Sequence, residues 1–102
     1  MPRVLNARTL LLKPNVVPPG AVYIGRHTRN GWRASRWGNP FRLGKDGTSA
    51  EVIGRYRAWL CDQPDLMAAL PELAGRDLVY WCAPEPCHGD VLLAMANAAS
   101  GP

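Results

Sequence analysis

Asp77-Leu78-Val79-Tyr80-Trp81-Cys82 is a nearly continuous apolar run with strong β character. A strand that alternates apolar and polar has one dry face, whereas a run of this kind suits a strand buried on both faces, as in a parallel sheet covered by helices. Downstream, Ala83-Pro84-Glu85-Pro86 is a loop, and an apolar helix is expected from about Cys87 to Ala98, with Val91, Leu92, Met95 and Ala99 facing inward. Upstream, Leu66, Leu70 and Leu73 form the stripe of a helix with Pro64 at its first position, Pro71 as a break or kink and Gly75 as its stop. Before that, Thr48-Ser49-Ala50-Glu51 has capping-box form, and Val52, Ile53, Tyr56, Trp59 and Leu60 fall on one helical stripe. That helix stops before Pro64.

Further out, Ala21-Val22-Tyr23-Ile24-Gly25-Arg26 reads as a short strand ending at a glycine. Residues 27–47 hold four glycines and a proline without helical periodicity, and long irregular loops in compact domains are generally functional. Residues 1–20 are expected as an extended, proline-stiffened segment and residues 21–99 as the core of one domain spanning 1–102. The expected fold is a small single-domain α/β layer structure: a short, mainly parallel sheet flanked by about three helices.

The chain has 102 residues, 47% hydrophobic and 20% charged, which is enough to bury one core and argues against disorder. No apolar run is long enough to span a bilayer, and the first residues lack a secretory h-region, so a cytoplasmic protein without a membrane partner is expected. Three cysteines, Cys61, Cys82 and Cys87, are an odd count, and the thiols are read as reduced.

The net charge of +4 is polarised. Arg3, Arg8, Lys13, Arg26, Arg29, Arg33, Arg36, Arg42 and Lys45 all precede the first acid, Asp46. After Arg57, Asp62, Asp65, Glu72, Asp77, Glu85 and Asp90 stand against Arg76 alone. Such polarity favours an anionic partner, and arginine suits bidentate recognition of phosphate. It is equally consistent with a solvated basic surface.

Two motifs carry the candidate chemistry. In Trp81-Cys82-(four residues)-Cys87-His88-Gly89-Asp90, a strand end faces a helix start, where unpaired amides attract anions and Gly89 leaves room for a ligand. Cys87 is placed there as the most reactive thiol. Asp90 and His88 are candidate acid, base or orienting groups; Cys82, Cys87, His88 and Asp90 as metal ligands, and Cys87 with His88 as nucleophile and base, are alternatives. Neither metal nor cofactor is assigned. The same residues also fit a tight turn in which Asp90 caps the helix and the cysteines pack.

In Ser35-Arg36-Trp37-Gly38-Asn39-Pro40-Phe41, aromatics interleaved with arginine could sandwich a base, and Asn39 could read its edge. The alternative is a loop pinned to the core, with Asn39 bonding its own backbone.

These segments, with Gly44, Tyr56-Arg57, Trp59-Leu60 and Val22-Tyr23-Ile24-Gly25-Arg26, resemble the bacterial and bacteriophage family called domain of unknown function 4326 over roughly residues 21–97. In the family a cysteine often stands two places before Cys82, where this chain has Tyr80, a departure that weakens a metal or disulfide role. The opening strand-Gly-Arg is loosely similar to nucleotide-processing α/β proteins that cleave N-glycosidic bonds, an analogy of fold alone. The expected function is therefore a small enzyme on a nucleotide or phosphorylated nucleoside, with N-glycosidic hydrolysis as its candidate reaction. Asp90 and His88 would be catalytic; Arg26 and Arg57 would hold phosphate; Asn39 and Trp37 would hold the base; Ser35, Gly38, Gly89 and Cys87 would complete the pocket. The alternatives are a nucleic-acid-binding module built on the Arg/Trp-rich loop and a metal-stabilised interaction domain. The expected partner is an anionic small molecule such as a nucleotide, then nucleic acid; a homodimer through the apolar C-terminal helix is compatible with the pattern.

Overall fold

The computed structural model describes residues 2–42, 44–81, 85 and 87–100, the last two by backbone alone. Its elements run β1 (Val4–Asn6), β2 (Val22–Tyr23), α1 (Ser49–Cys61), α2 (Pro64–Ala69), a 3-10 turn (Leu70–Leu73), β3 (Leu78–Tyr80) and α3 (His88–Ser100). The three strands form one parallel sheet in the order β1-β3-β2. The apolar strand Leu78–Tyr80 is its centre, and Leu78 and Val79 are fully buried.

Register determines what lies on each face. Val4 and Val22 flank Leu78, while Leu5 and Tyr23 flank Val79. Because successive strand residues point to opposite sides, Leu78 joins Ile24, Trp37, Tyr56, Leu60, Leu70, Leu73 and Leu92 in a core under the helices. Val79 joins Ala7, Trp32, Leu5, Tyr23 and Trp81 in a second core, covered by irregular chain. The α/β expectation and the parallel sheet are correct. The helices, however, cover one face, and loop segments cover the other.

Residues 1–20 do more than lead into the core. Val4–Asn6 is an edge strand, with Leu78 N donating to Arg3 O at 2.9 Å and Ala7 N donating to Tyr80 O at 2.8 Å. Three residues are too few for any periodicity to reveal, and only pairing with β3 makes them a strand. The other two strands are likewise shorter than the apolar runs that suggested them.

The helix boundaries follow local chemistry. Thr48 caps α1 through the full reciprocal box: its hydroxyl accepts from Glu51 N, and the Glu51 carboxylate accepts from Thr48 N. Backbone contact with Thr48 holds that carboxylate below the usual range. Pro64 opens α2, Pro71 tightens the chain into the 3-10 turn, and Gly75 follows at φ 75°, a left-handed position that glycine adopts freely. α3 packs against that turn and against α1. No helix among the described residues is long and apolar enough to cross a membrane.

Candidate functional site: a cavity at the carboxyl edge of the sheet

The strands of a parallel sheet all end on the same edge, and helices that follow them start there. Here β2 runs out through Ile24-Gly25-Arg26 and β3 through Trp81, while α1 begins at Ser49 and α3 at His88. A cavity of about 250 Å³ lies at this meeting point, lined by Arg26, Asn39, Phe41, Ser49, Val52, Ile53, Tyr80, Trp81, Cys87 and His88.

The segment Tyr23–Arg26 is fixed by backbone chemistry. The Tyr23 hydroxyl donates to Arg26 O at 2.7 Å, and burial raises its pKa. Its ring occupies the space that a Cβ on Gly25 would fill, so glycine is required there. Gly25 O accepts from Ser35 N at 2.9 Å, which ties the second motif to the strand end. Gly38 completes the lock: a Cβ on it would stand 3.1 Å from both Arg26 Cγ and Gly25 O. These contacts hold the Arg26 backbone and the root of its side chain, while its guanidinium has no hydrogen bond or ion pair among the described residues.

Within the second motif most side chains serve the scaffold. Ser35 Oγ accepts from Trp37 N at 3.0 Å. Trp37 is buried in the helix-side core, and its carbonyl accepts from the Tyr56 hydroxyl at 2.7 Å, whose pKa burial raises. Arg36 lies over the Trp37 ring and pairs with Glu72 at 2.7 Å on the exposed surface. Asn39 is different. It is only 6% exposed, Oδ1 accepts from Phe41 N at 2.9 Å, and no described group accepts from its Nδ2, which leaves two donors on a residue that lines the cavity.

His88 is 1% exposed, and its Nε2 lies 2.8 Å from Ile24 O. A carbonyl can only accept, so Nε2 carries the proton and Nδ1 the lone pair. The ring sits edge-on to Tyr56 and Tyr80. Desolvation pushes its pKa down to about 4, so it is neutral at pH 7.

Asp90 does not enter the cavity. Its Oδ2 accepts from Cys87 N at 3.0 Å and caps the first turn of α3, the position anticipated by the alternative reading of the motif. Gly89 serves packing and not ligand access: a Cβ would come 2.8 Å from Val4 Cγ2 and 3.0 Å from Ile24 Cδ1. Arg57 is exposed on α1 and away from the cavity. Of the residues singled out in the sequence, the structure therefore brings together Arg26, Asn39, Cys87 and His88. It leaves out Ser35, Trp37, Gly38, Arg57, Gly89 and Asp90.

The expectation of reduced thiols holds at exposed Cys61 and is corrected at Cys87, which is disulfide-bonded. Cys87 is accordingly not a nucleophile in this state. Gly89 N donates to its sulfur at 3.3 Å. Cys82 lies outside the described residues, and no group of three metal-binding side chains occurs within them. Sequence reasoning missed Ser49, Val52, Ile53 and Tyr80 as cavity walls; Ser49 reads as part of a capping box, Val52 and Ile53 as a helix stripe and Tyr80 as strand, and nothing local marks them otherwise.

Fold and site together define a small parallel α/β domain with a cationic, aromatic cavity at the strand ends. The chain belongs to the family described as domain of unknown function (DUF4326), whose profile matches residues 11–98. No curated protein and no solved structure matches the chain.

Proposed function

We propose that this cavity binds a nucleotide or a related phosphorylated nucleoside. One conjunction carries the reading: a guanidinium without an anionic partner and a buried amide with spare donors face the same small space, whose described walls include no carboxylate. Arg26 is the phosphate ligand. Thr48 takes the Glu51 amide, so the amide of Ser49, which lines the cavity at the start of α1, stays open to a second anionic oxygen. Phe41, Tyr80 and Trp81 offer the aromatic surface a base or sugar face needs, and Asn39 Nδ2 reads an acceptor on it. A volume near the lower end of small-molecule sites suits one nucleoside unit.

Binding stands ahead of the hydrolase reading. Glycosidic cleavage canonically uses carboxylates beside the sugar, and that of Asp90 accepts from Cys87 N at the α3 cap and does not line the cavity. His88 is the titratable base in the cavity wall, and at about 4 its pKa makes it a weak one.

Calorimetric titration of the four 5′-mononucleotides tests the proposal. At least one should bind, and Arg26→Gln and Asn39→Asp should each weaken it ten-fold or more. Asn39→Asp keeps the oxygen that accepts from Phe41 N, so the turn survives while the donors are lost. Asp90→Asn should leave affinity within two-fold. Absence of binding and of any thermal shift with every nucleotide and nucleoside would sink the reading; release of free base, abolished by Asp90→Asn, would restore the hydrolase.

A further inference from the structure

The main cavity does not end at Trp81. A second cavity of about 200 Å³ shares Arg26, Tyr80 and Trp81 with it and adds His27, Thr28 and Arg42. A third, of about 650 Å³, shares Thr28 and Trp81 with the second and adds Arg8, Arg29, Asn30 and Leu12 among its walls. The three cavities form one track along the carboxyl edge, with Trp81 common to all. Four arginines line it, and none of its described walls is acidic. By contrast, the cavity by residues 19–21 and 75–77, beside the start of β3, includes Asp77.

The platform in the middle is packed from behind. Trp81 packs edge-on against Trp32 at 5.5 Å and Tyr23 at 6.4 Å in the loop-side core, yet remains partly exposed. Hydrogen bonds to the backbone order both cationic rims. Asn6 Oδ1 accepts from Arg8 N and Thr9 N, which sets the turn bearing Arg8. Thr28 N donates to Trp32 O and Gly31 N to Thr28 O, which sets the turn bearing Arg29. A fixed indole flanked on both sides by arginines is the arrangement that follows a single strand, with bases stacking while phosphates track the cations. A free mononucleotide would use only the first of the three cavities.

We infer that the ligand is the end of a single-stranded oligonucleotide. Its terminal nucleotide occupies the main cavity, the next phosphodiester lies between Arg26 and Arg42, and the following nucleotide crosses Trp81 toward Arg8 and Arg29. This rests on the nucleotide reading of the main cavity and specifies its substrate class.

The test compares the four 5′-mononucleotides, the corresponding nucleoside triphosphates and homo-tetranucleotides in both deoxy and ribo form, on the intact chain. Tetranucleotides should bind at least ten-fold tighter than the matching mononucleotide. The double variant Arg8→Gln/Arg29→Gln should erase that gain, leave mononucleotide affinity unchanged, and flatten the logarithmic salt slope for tetranucleotide by about 1 to 1.5. Equal affinities for one and four nucleotides would overturn the inference while the mononucleotide reading stands. So would a gain that the double variant retains, or one the triphosphate already achieves without a second base. Failure of every probe would remove both readings together.

Discussion

His88 shows how a functional-looking residue is claimed by the fold. Its Nε2 is taken by Ile24 O and its ring by Tyr56 and Tyr80, so burial disfavours the charged form and the pKa falls to about 4. The unfolded chain titrates near the ordinary histidine value and therefore binds more protons than the folded one between pH 6.5 and 4. Stability should then be complete above pH 6.5 and fall with pH through that window, by an amount on the order of 3 kcal/mol. Thermal melts from pH 7.5 to 4 should show a decline that His88→Gln largely removes; a variant with an unchanged slope would refute the assignment. Gly89 makes a second prediction. A methyl group there meets Val4 and Ile24 below contact distance, and overpacking of this kind costs about 1–3 kcal/mol. Gly89→Ala should lower the melting temperature by several degrees, whereas the same change at Gly54, open to space in α1, should raise it or leave it unchanged. The motif spelling made Gly89 look like a ligand window; only the approach of β1 and Ile24 makes it a packing contact.

Among the elements, α1 was the most legible. Its cap, its stripe and its stop before Pro64 depend on neighbours in the chain, and the structure reproduces each. Thr48→Ala removes the hydroxyl that accepts from Glu51 N, and loss of such a cap costs about 1 kcal/mol. Urea titration should show that loss at constant m value; an unchanged midpoint would mean the box contributes nothing. The strands were legible as apolar runs but not in their extent, because a strand is defined by its partner. Val4–Asn6 illustrates this: residue for residue it differs little from loop, and only the bonds from Leu78 and to Tyr80 O make it an edge.

For the whole molecule, two cores share one three-stranded sheet, with Leu78 on one face and Val79 on the other. Neither face can dissolve while the central strand stays paired, so unfolding should be a single cooperative transition. Tryptophan fluorescence, reporting Trp32 in one core and Trp37 in the other, should coincide with far-ultraviolet dichroism through a urea titration; separated midpoints would show that the loop-covered face melts first. The sequence by itself determined the helices, the buried central strand, the α/β class and the positions of the two motifs, because capping, periodicity and composition act over a few residues. Only the tertiary structure decided which members of those motifs face a shared cavity. Arg26, Asn39 and His88 lie far apart along the chain, and their convergence depends on parallel strands ending at one edge. Trp37 was diverted by a partner that no local pattern announces, the hydroxyl of Tyr56 nineteen residues on, whereas Asp90 was taken by the nearby amide of Cys87, the cap its place in the first turn of α3 allowed. A polar side chain becomes available to a ligand only when the fold has left it unpaired, and that is settled by packing between distant segments.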